Sequence, residues 1–226
     1  LYPGDYIIGI AQKIIANNKS KKFDKLEDSQ DLLNEESLKH SMNIIKSDLK
    51  KLGIEHDNFF SEKDLIKNKL VEKTIESLKK DNYVVQGFLP APKSEDSINW
   101  KKIKRLIFKS TLFGDDVDRA LQKNDGSWTY FANDVAYHMD KISRKYDVLI
   151  NVLGADHTGY IKRITAAVTA LSKKKIQLNC QVCQLVKLFK NGKPFKMSKR
   201  SGDFISANDL LNEVSKDSLR FMMLNR

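Results

Sequence analysis

One stretch constrains the fold more than any other. YDVLINVL, residues 146–153, is an apolar run of the kind found in strands buried within a parallel sheet. It runs into GADHTG, residues 154–159, and then into YIKRITAAVTALSKKK, whose apolar spacing is helical. A helix precedes the run (TYFANDVAYHMDKISRK, about 129–145) and a further strand follows it. Helix, strand, glycine loop, helix, strand is the βαβ rhythm of an open parallel α/β sheet. Such sheets bind ligands at the carboxyl ends of their strands, where GADHTG falls.

The remaining chain is organised around that unit. PGDYIIGIAQKIIANNKSKK opens with apolar residues at helical spacing (Ile7, Ile10, Ala11, Ile14, Ile15) and runs into a polar linker. Residues 23–82 are rich in Lys, Asp, Glu, Asn and Ser. EESLKHSMNIIKSDLKKLG repeats apolar residues at Leu38, Met42, Ile45, Leu49 and Leu52 before a stop at Gly53, and KNKLVEKTIESLKKDN repeats them at Leu70, Val71, Ile75 and Leu78. This reads as a mostly helical insertion, 23–97, ending in a strand and an irregular loop at YVVQGFLPAPKSEDSINW. KRLIFKST is a strand candidate, and Asp125-Gly126 marks a turn. Alternation around Asn191-Gly192 predicts a hairpin, and 203–226 predicts two short helices, the first capped by Ser206.

Three groups of residues can carry chemistry. Gly154 removes a side chain at the strand end, so a flat ring can approach the backbone. Asp156 either accepts from ribose hydroxyls or caps the following helix, and His157 offers a donor or acceptor beside it. Tyr130, Asp134 and Tyr137, at i, i+4 and i+7, share one helix face. A carboxylate between two rings suits a planar cation such as a guanidinium; two core tyrosines around a surface aspartate is the other reading. KPFKMSKRSG, residues 193–202, sets Lys196 and Lys199 beside Ser198 with Gly202 as a hinge. Lysines on such a loop suit transient charge, as on a triphosphate being cleaved, or merely form a solvated surface.

Composition trims the alternatives. The charge of +11 admits a polyanionic partner, but seven of the 40 basic residues are arginine and the rest lysine, a bias that a genome can impose. Cys180 and Cys183 form a lone C-x-x-C whose strand spacing points them to opposite faces, against a metal or redox role. No P-loop or G-x-G-x-x-G fingerprint occurs, and Asp115, Asp116 and Asp118 read as a turn of solvated acids. No metal site is expected. Two cysteines, no signal peptide and no apolar run of membrane length point to a reducing, cytoplasmic compartment.

In this order the three groups resemble the second half of the catalytic domain of arginyl-tRNA synthetases, class I aminoacyl-tRNA synthetases. KMSK, 196–199, matches the class I signature. GADHTGYIKR resembles the family's nucleotide-binding loop, and FGDDVDRALQKNDGSWTYFANDVAYHMDK its arginine-recognition stretch. The matches cover most of 98–226 and extend into the opening GDYI.

The resemblance implies a Rossmann-like second half (98–202) behind a first-half helix (1–22). A helical segment (203–226) would then lead toward an anticodon-binding domain. It implies attachment of L-arginine to its tRNA through an arginyl-adenylate, with ATP as substrate, Mg2+ accompanying it, and a monomer as the working form. Asp134 would pair the guanidinium, with Tyr130 beside it and Tyr137 facing the same way. Gly154 and Asp156 match the adenosine loop, and His157 falls where the family touches one substrate or the other. Lys196 and Lys199, with Ser198 between, match the loop that stabilises leaving pyrophosphate.

One departure stands out. The family's first half carries an H-x-G-H motif, and none of the four histidines, in LKHSM, IEHDN, YHMDK and ADHTG, fits it. The expectation is an internal fragment that does not complete aminoacylation alone. The alternatives are a non-catalytic, synthetase-derived module that binds RNA or protein, and another class I synthetase or nucleotidyltransferase.

Overall fold

The computed structural model describes residues 4–90, 103–184, 186–190, 192–195 and 205–225. In chain order these form α1 (Asp5–Asn17), α2 (Gln30–Lys51), α3 (Glu62–Lys67), α4 (Leu70–Lys80), β1 (Val84–Gly87), β2 (Arg105–Phe108) and β3 (Arg119–Ala120). There follow α5 (Tyr130–Ser143), β4 (Val148–Gly154), α6 (Ile161–Leu171), β5 (Gln177–Cys183), β6 (Leu188–Lys190), β7 (Lys193–Phe195), α7 (Ala207–Glu213) and α8 (Lys216–Leu224). Lys196, Ser198, Lys199 and Gly202 lie outside the described residues. Among the described residues no helix is long and apolar enough to cross a membrane.

The chain divides into two compact units. Residues 60–186 make one. Its parallel pair, β4 and β5, is in register from Val148 opposite Gln177 to Gly154 opposite Cys183, so both strands end at one level. α6 is the crossover between them, which gives the α/β arrangement expected from the 146–183 stretch. β1, β2 and β3 form a small antiparallel sheet in that order.

The core of this unit lies where α4, α5 and α6 meet β2. Val71, Ile75 and Leu78 of α4 are buried at i, i+4 and i+7, and they pack with Leu106, Phe108, Leu121, Phe131 and Val135. Ala132 and Ala136 on α5 face a core that also holds Ala166, Ala167 and Ala170 of α6, and side chains this small let the helices approach closely. Thr129 sets the start of α5: its hydroxyl accepts from the Ala132 N–H at 3.2 Å.

Two expectations need correction. The 146–153 run is not buried throughout. Leu149 is buried, but Val148, Ile150 and Val152 are 46%, 63% and 68% exposed. β4 is two-faced among the described residues, since successive side chains of a strand point to opposite sides and Leu149 alternates with these exposed neighbours. Nor are all the acids at 115–118 solvated. Asp115 is buried and takes a two-pronged bond from Arg119, 2.7 Å on each arm, plus the Ser110 hydroxyl at 2.9 Å. Asp116 and Asp118 do sit at the surface, paired with Lys162 and Thr111.

Residues 1–59 and 187–226 make the other unit. α1 buries Ile10 and Ile14, and just past the end of α2 Gly53 takes a left-handed φ of 71°. Lys51 donates to Asn208 at 2.6 Å and Arg220 to the Leu52 carbonyl at 3.0 Å, tying that helix end to α7 and α8. β6 and β7 form the expected hairpin, with Gly192 at φ 73°. Ser206 caps α7 in a reciprocal capping box with Asp209.

Candidate active site

Tyr130, Asp134 and Tyr137 line one pocket of about 290 Å3, together with Phe60, Glu62, Leu65 and Asn133. The helical spacing puts the first three on one face of α5, and Glu62 and Leu65 of α3, with Phe60 two residues before it, complete the lining. Tyr130 is 83% exposed, so it is a rim residue and not a core tyrosine. Tyr137 stacks on Phe60 with ring centres 4.6 Å apart, and the Lys141 ammonium lies 4.4 Å above its ring.

Asp134 is the most constrained group in the pocket. Its Oδ2 accepts the Tyr160 hydroxyl at 2.7 Å, and its Oδ1 lies 3.2 Å from His138 Nδ1. Burial alone would raise its pKa. The bond from His138, the Tyr160 hydroxyl and nearby Lys141 outweigh that and hold the carboxyl below the ordinary range. Burial first, and then the neighbouring carboxylate, push the Tyr160 hydroxyl well above its ordinary value, so it remains a donor. Glu62 adds a second carboxylate to the lining and accepts from Asn133 at 2.9 Å. Two acids beside the exposed ring of Tyr130 favour a planar, positively charged ligand.

Gly154 ends β4, and a short 3-10 turn, Ala155–Tyr160, leads into α6. Neither the turn nor α6 has a side-chain cap, so Asp156 is not spent on capping. Instead its carboxylate folds back over the glycine: a Cβ on Gly154 would lie 2.5 Å from Asp156 Oδ1. Asp156 and His157 are both exposed, with Oδ2 and Nε2 3.6 Å apart. The turn thus presents a carboxylate and an imidazole at the strand end, and its last residue, Tyr160, reaches Asp134. Cys180 and Cys183 are free thiols on β5, the first half-buried and the second exposed.

Sequence reasoning missed Phe60, Glu62, His138 and Tyr160. The signal for His138 was present, since it stands four residues after Asp134 on the same helix face. Phe60 and Glu62 carry no local signal, because they reach the pocket from some seventy residues away in the chain.

A parallel βα unit with an exposed polar turn at its strand ends and an acidic pocket on the preceding helix defines a Rossmann-like α/β catalytic domain. The particular family follows from sequence. The chain belongs to the class I (R) tRNA synthetase catalytic-domain family, whose profile matches residues 10–226. It is 58% identical over its whole length to an arginine–tRNA ligase of Pelagibacter ubique and 48% identical to that of Roseobacter denitrificans. In each case it spans 39% of the relative's length. A crystal structure from Campylobacter jejuni, described as a candidate arginyl-tRNA synthetase, superposes with a TM-score of 0.80 at 32% identity, covering all of this chain and 45% of that one.

Proposed function

We propose that this chain supplies the arginine- and ATP-handling part of an arginine–tRNA ligase, a cytoplasmic monomer that attaches L-arginine to its tRNA through an arginyl-adenylate. The observation that carries the reading is the acidic, ring-lined pocket around Asp134. Asp134 pairs the guanidinium; Tyr130 stacks at the rim and Tyr137 forms the wall. At the strand end Gly154 admits the adenosine, Asp156 binds its ribose, and His157 stands between the two substrates. Lys196 and Lys199, with Ser198, meet the phosphates, where positive charge counts most as pyrophosphate leaves. Mg2+ would arrive on the triphosphate.

The test is Asp134→Asn in the full-length protein as its gene encodes it. Arginine-dependent exchange of pyrophosphate into ATP should show the KM for arginine raised by about 2–3 kcal/mol, roughly 30- to 150-fold, with the KM for ATP nearly unchanged. An unchanged KM for arginine would remove Asp134 from the pocket's chemistry.

A further inference from the structure

Behind the pocket lies a chain of polar side chains that substrate recognition does not itself use. Lys141 Nζ donates to Asn151 Oδ1 at 3.0 Å. Asn151 Nδ2 lies 2.9 Å from His138 Nε2. His138 Nδ1 lies 2.8 Å from the Asp134 main-chain carbonyl and 3.2 Å from Asp134 Oδ1. His138 is 1% exposed, and Asn151 stands on β4.

The donor and acceptor inventory leaves one consistent assignment. An ammonium only donates, so the Asn151 oxygen must face Lys141 and its NH2 must face the histidine. That NH2 donates to Nε2, so Nε2 carries no proton. The ring proton then sits on Nδ1, where both partners are acceptors: the Asp134 carbonyl and carboxylate. The reverse tautomer would set Nε2–H against N–H and leave Nδ1 facing two oxygens with nothing to donate.

We propose that His138 is a positioning residue for substrate recognition: locked as its Nδ1–H tautomer by the Lys141–Asn151 pair, it fixes the rotamer of the Asp134 carboxylate that receives the guanidinium. The inference rests on the reading of the pocket as an arginine site. Oδ1 is held by His138 and Oδ2 by Tyr160. Each oxygen keeps a second lone-pair direction, so the carboxylate is held from behind while staying open to a two-pronged ligand. Holding it so before the ligand arrives removes the cost of ordering it on binding. A planar cation meets two parallel bonds only if that plane is set in advance.

The first measurement needs no substrate. Ring 15N shifts of the full-length protein, with His138 assigned through the resonance lost in His138→Gln, should show protonated Nδ1 and unprotonated Nε2. An Nε2–H ring would overturn the proposal, and this readout stands even if a variant fails to fold. The second compares His138→Leu with His138→Asn, whose amide N–H falls near the place of Nδ1–H. The leucine variant should raise the KM for L-arginine on the order of tenfold while leaving that for ATP unchanged. The asparagine variant should recover most of the loss. Equal KM losses in both variants, with unchanged melting temperatures, would overturn the positioning role. If Asp134→Asn leaves the KM for arginine unaltered while the Nδ1–H tautomer is found, the pocket reading falls and the tautomer assignment survives it.

Discussion

Tyr160 donates its hydroxyl to Asp134 across 2.7 Å, joining the last residue of the strand-end turn to the middle of α5. The bond connects the two regions assigned to different substrates, adenosine at the turn and the guanidinium at the helix. Burial and the Asp134 charge keep the phenol protonated, so the contact is a lasting donor–acceptor pair and not a titrating one.

Tyr160→Phe removes that donor and keeps the ring, which packs edge-on against Phe131. The expected outcome is a loss of ~1 kcal/mol in arginine recognition, about fivefold in KM, with little change in melting temperature. Steady-state exchange kinetics and a thermal melt check it together. A large drop in melting temperature with normal arginine KM would make the bond structural.

Gly154→Ala tests the strand-end turn. The new methyl would meet the Asp156 carboxylate, which can rotate away, and not backbone. Stability should change by less than about 1 kcal/mol, while the KM for ATP rises as Asp156 is displaced. An unaltered KM for ATP, with the melting temperature also unaltered, would take Asp156 out of nucleotide binding.

On the proposed role of Lys199 at the leaving pyrophosphate, Lys199→Ala should lower kcat far more than it weakens arginine binding, because such charge develops only in the transition state. Parallel losses in kcat and in arginine affinity would argue for a structural role instead.

Asp115 predicts a pH dependence of stability. Burial raises its pKa, but the two-pronged Arg119 bond, Ser110 and the Asp116 N–H together bring it below the ordinary value. A depressed folded pKa means the contribution is complete above the unfolded value of about 4 and is lost as pH falls toward the folded one. Asp115→Asn should cost ~2–3 kcal/mol at neutral pH, leaving Arg119 unpaired, and the gap from the parent should narrow below about pH 4. Urea titrations between pH 3 and pH 7 would reveal a constant gap if the ion pair contributes nothing.

What was legible in the sequence follows from short-range geometry. The rise and turn of a helix place Tyr130, Asp134 and Tyr137 on one face whatever they pack against. The βα rhythm likewise forces a crossover between parallel strands, and a Gly at the strand end marks the turn. Ser206 as a cap and the stop at Gly53 are also local choices of the backbone. Motif order then sufficed to recognise the family.

The tertiary structure alone decided what those residues touch. The chain distances separating Glu62 from Asn133 and Tyr160 from Asp134 carry no periodic trace, because contacts of that separation depend on how the elements stack. The same holds for Asp115, which pattern reading places in solvent. It is buried because Arg119 and Ser110 satisfy it there. The apolar run at 146–153 specifies a strand, but which of its side chains are covered depends on what lies over each face: Leu149 is buried while Val148, Ile150 and Val152 are exposed. Local sequence determines the direction in which a side chain leaves the backbone; the partner it meets, and hence its charge state and chemistry, is set by the packing of elements remote in the chain.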